Sequence, residues 1–122
     1  MDKTIMVVND NYSVRSMLAY TLVMEHYGVL AARDGIEAIN KINEGLKPDL
    51  VIAELEMPGL DGVALTRMIR ATPDTYNIPV LITASEFKLH KQMEWKDAGV
   101  TSWLVKPFTA DQLLKTVRMV TF

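Results

Sequence analysis

Asn9 and Asp10, Glu54 and Glu56, Thr83 with Ala84, and Lys106 lie far apart in the chain, yet each group follows directly on a short apolar run. Taken singly, each is an ordinary solvated residue at the end of a strand. Taken together they are carboxylates, a hydroxyl and an ammonium that a parallel sheet would deliver to one edge. Two or three oxygen ligands completed by water suit Mg²⁺, a hard cation that keeps part of its hydration shell. A hydroxyl and a lysine beside such a cation suit a phosphoryl group, whose negative charge they share.

The elements that must position these groups are legible in the hydrophobic pattern. Thr4 to Val8, Val29 to Ala32, Leu50 to Ala53, Val80 to Ala84 and Trp103 to Val105 are short, nearly continuous apolar runs, too short for free-standing helices. Between them lie helical stripes. Val14, Met17, Leu18, Thr21 and Leu22 form the first; Ile36, Ile39 and Ile42 the second; Val63, Leu65, Met68 and Ile69 the third. A weaker fourth segment, over about 87–97, stops at Gly99. The fifth opens on Thr109 with Gln112 three residues on, a capping-box spacing, with Phe108 placed to staple onto Leu113. Asp34 with Glu37 repeats that spacing, and Asp61 is placed to cap the third helix. Strands alternating with helices predict an α/β fold, a doubly wound parallel sheet with both faces covered. The pattern leaves strand order open. No linker, repeat or low-complexity stretch interrupts it, so residues 1–122 are expected to form a single domain with no output domain in this chain.

Bulk composition removes several classes of function. Apolar residues make up 49% and charged residues 23% of the 122, the profile of a chain that folds around a core. A formal net charge of -2 leaves no electrostatic footprint for nucleic acid or an anionic membrane. Without cysteine there is neither disulfide nor thiolate metal site. The N-terminal residues lack the apolar core of a signal peptide, and no run approaches the roughly 18 apolar residues of a membrane helix. A cytoplasmic location is therefore expected.

Four motifs, in order, resemble those of receiver domains of two-component response regulators: VVND, DLVIAELEMPGLDG, ITAS and WLVKPF. The resemblance spans the whole chain. It implies a flavodoxin-like (βα)5 fold with strand order 2-1-3-4-5, and a Lys106-Pro107 bond in the cis form. In that family an Asp at the end of the third strand accepts a phosphoryl group from a histidine kinase with Mg²⁺ bound. Carried over, the phosphoacceptor position is Glu54, and the phosphoryl-contact positions are Thr83, Ala84 and Lys106. The switch positions are Thr83 and Trp103. The metal ligands are Asp10, Glu54 and Glu56, through its main-chain carbonyl, with Asn9 adjacent. A histidine kinase or downstream effector would be met on the face built from residues 87–122, with Lys88, Lys91, Trp95, Trp103 and Arg118 on or near it. A monomer or weak dimer is expected.

Two positions depart from the family pattern. Glu54 stands where the family has Asp, and Asn9 stands where it has the first of two acids. The extra methylene of Glu carries its carboxylate about 1.5 Å further into the rim. In-line transfer tolerates little misplacement, and about 1 Å can cost a hundredfold in rate. Asn9 removes a negative charge from the cation site, so Mg²⁺ is expected to bind weakly. A phosphorylation-deficient pseudo-receiver, not an enzyme, is the expectation. Glu54 then either mimics the phosphorylated state by reaching Thr83 and Lys106, or points to solvent in a retired site; a substitution introduced by design is a third reading. Rivals are an active receiver with weakened chemistry and a flavodoxin-like domain binding a phosphorylated small molecule. Against the last stands Asn9-Asp10-Asn11, which puts a carboxylate where a phosphate cradle wants backbone N–H groups.

The remaining conspicuous residues carry plainer expectations. Trp95 falls off the Leu89–Met93 stripe by helical angle and is expected to be exposed, forming an apolar patch with Trp103. His26 and His90 have no companions at ligand spacing and are read as surface residues. The eight methionines are read mostly as core packing.

Overall fold

A computed structural model describes residues 2–121. The strands are β1 (Thr4–Val8), β2 (Gly28–Ala32), β3 (Leu50–Glu54), β4 (Val80–Ser85) and β5 (Ser102–Lys106). The α-helices are α1 (Tyr12–Met24), α2 (Gly35–Asn43), α3 (Gly62–Ala71), α4 (Gln92–Ala98) and α5 (Ala110–Val120), with a 3-10 helix, Glu86–Lys91, leading into α4. The five strands form one parallel sheet in the order β2-β1-β3-β4-β5. Parallel neighbours need crossover helices, and those helices cover both faces.

Alternation along each strand divides the core between the two faces. Ile5, Val7, Leu50, Ile52 and Leu81 pack with Leu18 and Leu22 of α1 and Leu113, Leu114, Val117 and Val120 of α5. Met6, Val8, Val51, Ala53, Val80 and Ile82 point the other way, onto α2, α3 and α4. The strands are apolar throughout because both their faces are buried, each large side chain contributing roughly 1.5–3 kcal/mol.

The helix starts follow the capping residues. Asn11 accepts from the Val14 N–H, Asp34 from Glu37 and Asp61 from Ala64, while Thr109 and Gln112 form a complete capping box. The Glu37 side chain reaches the Arg33 N–H at 3.4 Å, one residue short of the reciprocal bond that its spacing suggested. At the opposite edge of the sheet from the helix-bearing Glu54 loop, Arg70 of α3 gathers main-chain oxygens. Its guanidinium donates to Gly99 O at 2.8 and 3.0 Å and to Tyr76 O at 3.0 Å. Burial lowers its pKa by desolvation, and the carbonyl oxygens around it solvate the charge in place of water.

Three sequence expectations are corrected here. Trp95 is fully buried, not exposed. The continuous helix over about 87–97 is instead a 3-10 helix followed by a short α-helix; three residues per turn against 3.6 shifts the phase, so Trp95 turns inward and Met93 outward. The methionines are not mostly core: Met17, Met24, Met68, Met93 and Met119 are exposed, and only Met6 and Met57 are buried among the described residues. Ile36 is likewise exposed, at the edge of the α2 stripe. His26 and His90 are exposed as expected.

The Arg70 clamp yields a stability prediction. Arg70→Met strands several carbonyls, so urea denaturation is expected to show a loss of about 1–3 kcal/mol. Arg70→Lys is expected to recover only part of it, because an ammonium lacks the planar fork.

Candidate functional site

Parallel strands end on the same edge, and the register decides which of their last residues meet. Glu54 of β3 is the partner of Thr83 of β4, and Ser85 of β4 is the partner of Lys106 of β5. Val8 of β1 pairs with Ala53 of β3, which sets Asn9 beside Glu54. Three other strand ends, from Asn9 to Lys106 along the chain, therefore converge on one carboxylate.

That carboxylate is buried, with only 8% of Glu54 exposed. Both its oxygens are engaged. Oε2 accepts from the Thr83 hydroxyl at 2.9 Å and makes a longer contact, 3.5 Å, with the Asn9 side-chain amide. Oε1 accepts from the Lys106 ammonium, which forms the salt bridge of the site. A buried carboxylate without a cation costs several kcal/mol, and here the lysine and two neutral donors meet that need. The orientation in which Glu54 points to solvent is not the one the structure has.

Asn9 is itself held on all sides. Its Oδ1 accepts from the Asn11 N–H at 2.9 Å, which leaves Nδ2 to face Glu54. Its main-chain oxygen accepts from Arg15 Nη1 at 2.7 Å. Asp10, by contrast, is exposed beside the cleft. Glu56 lines the cleft as well, and its carboxylate pairs with Lys88 of the 3-10 helix, 3.4 Å off. Gly62 opens α3 directly beneath the strand end: a Cβ there would come within 2.7 Å of the Glu54 carbonyl oxygen, so only glycine lets the helix approach this closely.

The cleft over these groups has a volume of about 310 Å³, with Asn9, Asp10, Glu54, Ala84, Ser85 and Lys106 in its wall. The small Ala84 leaves its floor open. Behind Lys106 a second, apolar cleft of about 260 Å³ runs between Met17 of α1 and Phe108. The Lys106-Pro107 bond is cis, as the resemblance implied. Trp103 is half-buried and meets Trp95 edge to face, with ring centroids 5.5 Å apart. Since Trp95 is buried, the two indoles form an internal contact between β5 and α4, not the surface patch expected from sequence.

The donor set fits a divalent cation poorly. Glu54 is committed to Lys106 and Thr83 and the Glu56 carboxylate pairs with Lys88, so Asp10 and the main-chain carbonyl of Glu56 are the ligands left open by these contacts. Among the described residues no cluster of three or more His, Cys, Asp or Glu side chains is placed to hold a metal ion. One available carboxylate offers a hard cation little ligand charge in exchange for its water.

Sequence reasoning brought Asn9, Asp10, Glu54, Thr83, Ala84 and Lys106 to one rim, and the structure brings them together. It did not place Arg15 or Ser85 there, and it named Lys88 only for the partner-binding face. Arg15 lies six residues beyond Asn9 and reaches back over the first turn of α1, a local contact that its spacing allowed. Lys88 had no such signal, because its position depends on the 3-10 helix.

Comparisons with known proteins agree with this geometry. Residues 5–118 match the family model described as Response regulator receiver domain. Response regulator MprA of Mycobacterium sp. (strain KMS) is 35% identical over 118 residues, covering 97% of this chain and 50% of that protein. The chain thus spans about half the length of the curated relatives it matches. Chemotaxis protein CheY4 of Vibrio cholerae superposes with a TM-score of 0.91 at 34% identity, covering 98% of this chain and 99% of that one. The receiver domain of sensor histidine kinase PA1611 from Pseudomonas aeruginosa PAO1, solved with a magnesium ion in its active-site cleft, has a TM-score of 0.86 at 25% identity, covering 98% and 97%. With fold, strand order and family model in agreement, the chain belongs to the response regulator receiver domains of two-component signal transduction.

Proposed function

We propose that this chain is an atypical, phosphorylation-deficient receiver in which Glu54, at the phosphoacceptor position, permanently takes the part of the phosphoryl group. The supporting observation is the Glu54 carboxylate itself, bound at once by the Thr83 hydroxyl and the Lys106 ammonium. Those are the groups that the family resemblance assigns to phosphoryl oxygens. A carboxylate that already fills their hydrogen bonds leaves an incoming phosphoryl group neither a free nucleophile nor free donors. The mimicry is partial, because Glu carries one negative charge and a phosphoryl group nearly two.

The chain on this reading is not an enzyme and signals by protein–protein contact in the cytoplasm. Its face from residue 87 onward meets a histidine kinase or a downstream effector; Phe122, at the end of that face, lies outside the described residues. Phe87, Met93 and Met119 are exposed there, alongside Lys91 and Arg118, whereas Trp95 is not available to a partner. Nucleic acid and membrane are not its partners, and the chain is a monomer or weak dimer. Because the donors around Glu54 are satisfied without any added ligand, partner binding does not wait for a phosphodonor: a ligand shifts a switch only by binding its two states differently.

Asn9 fits the same reading. An Asp there would place a second carboxylate beside Glu54 with Lys106 as their shared cation, so Asn9→Asp is expected to cost on the order of 1–3 kcal/mol at neutral pH. Urea denaturation checks this, and the cost should vanish when Glu54→Gln is combined with it. A deficit that persists in the double variant would place its origin elsewhere than charge.

Phosphoryl chemistry is tested by intact mass. With Mg²⁺ and a small-molecule phosphodonor, the wild-type mass is expected to stay unchanged, and Glu54→Asp with Asn9→Asp to gain one hydroxylamine-labile phosphoryl group. A labile gain in wild type that disappears in Glu54→Gln makes this a working receiver and overturns the proposal.

Divalent cation binding should be weak, in the millimolar range or above, since oxygen-site affinity follows ligand charge. Mn²⁺-induced nuclear relaxation measures it. Asp10→Ala is expected to abolish what remains, and micromolar binding, or binding indifferent to that change, contradicts the assignment.

A further inference from the structure

On the α1 side of the Glu54–Lys106 ion pair lies the apolar cleft of about 260 Å³. Val14, Met17 and Leu18 of α1 line it together with Pro107 and Phe108 of the β5–α5 loop, and Glu54, Thr83 and Lys106 supply its polar groups. Glu54 and Lys106 line the polar cleft as well, so their ion pair forms the partition between the two. A buried apolar cavity of about 150 Å³ can hold benzene, so this one has room for a substituted ring. Met17 is exposed, so the cleft is bordered on its solvent side by a flexible thioether.

The chemistry of the lining selects the occupant. A water molecule needs two to four polar partners, and five of the eight lining residues offer no polar side chain, so most of this space suits an apolar body. The polar groups in the wall are short of acceptors. The Lys106 ammonium has three N–H groups and, among the described residues, gives one of them to Glu54. The Thr83 hydroxyl spends its proton on the same carboxylate, at 2.9 Å. An incoming molecule is therefore offered N–H donors and must bring an oxygen that accepts. That oxygen cannot carry a full negative charge without cost, because Glu54 already holds the negative charge that Lys106 balances.

We propose that this cleft binds a small neutral molecule, about one ring in size, whose carbonyl oxygen accepts from Lys106. Its apolar body lies among Val14, Met17, Leu18 and Phe108. A ligand held in this way favours the arrangement in which Lys106 stands at Glu54, and so gives the chain an input that needs no phosphoryl transfer. The site rests on the ion pair seen in the structure. It stands whether or not Glu54 takes the part of a phosphoryl group, a question that intact mass answers separately.

Methyl-labelled methionine supplies the readout, because Met17 lines the cleft. Acetophenone is the probe, with toluene as a ring without an acceptor and benzoate as a ring with a negative charge. Titrated into the protein, acetophenone is expected to shift the Met17 methyl resonance with a dissociation constant of about a millimolar, in keeping with its size. Toluene is expected to bind roughly tenfold more weakly, since it makes no hydrogen bond to the charged donor. Benzoate is expected to bind more weakly than acetophenone, because its charge meets that of Glu54. Glu54→Gln combined with Lys106→Met removes both charges and keeps side chains of similar length in the wall. In that variant acetophenone is expected to fall to the affinity of toluene, while unchanged toluene binding shows that the cleft is intact. Val14→Phe fills the cleft and is expected to abolish the Met17 shift with every probe. Toluene binding as tightly as acetophenone overturns the proposal and leaves the cleft to an apolar side chain of a partner. Tighter binding of benzoate, an acetophenone preference that survives the double variant, or no Met17 shift up to the solubility of acetophenone overturns it equally.

Discussion

A carboxylate buried at the end of a central strand has to be matched, and that need organises the rim of this protein. Glu54 is largely removed from bulk water, so its charge has to be balanced mainly by what the neighbouring strand ends supply. β4 supplies a hydroxyl and β5 an ammonium, and the cleft that remains is walled by groups already bonded to one another. Sheet register is what makes this possible. A slip of one residue between β3 and β4 would turn Thr83 to the opposite face of the sheet and leave an oxygen of Glu54 without its closest neutral donor.

The rest of the molecule can be ordered by its distance from that carboxylate. Gly62 permits α3 to begin against the Glu54 carbonyl, and Asp61 caps it one residue earlier, so the loop from β3 is fixed at both ends. Further out, Trp103 lies on the strand that carries Lys106, and its edge-to-face contact with Trp95 ties that strand to α4. The buried indole N–H of Trp95 has no hydrogen-bond partner, which marks this junction as one where packing outweighs polar satisfaction.

Most of this was legible in the chain because the signals are local. Apolar runs such as Leu50 to Ala53 announce buried strands, and Asp34, Asp61 and Thr109 announce the helices that follow. Strand order was not legible from the pattern, since pairing is a property of contacts far apart in sequence; it came from the family resemblance. The region before α4 failed for a different reason. Helical periodicity assumes one period, and the change from a 3-10 to an α-helix at Lys91 and Gln92 rotates everything after it. Trp95 was misplaced by that rotation alone. Met17 and Met24 expose the complementary weakness: an apolar residue beside a core stripe reads as core, although here it is exposed.

The two departures from the family pattern, read from sequence as separate losses, are physically one change. Asn9 is buried and within 3.5 Å of Glu54, and its amide oxygen is already taken by the Asn11 N–H. Only a residue that accepts on one side and donates on the other fits between them, which Asn does and Asp at neutral pH does not. An Asp at position 9 would need an added cation to sit beside a second buried carboxylate, whereas Lys106 already supplies the charge that one carboxylate requires. Once Glu54 reaches Lys106, the acid at position 9 loses its role and becomes a liability, and an amide relieves it. The same residue gives its main-chain oxygen to Arg15 of α1.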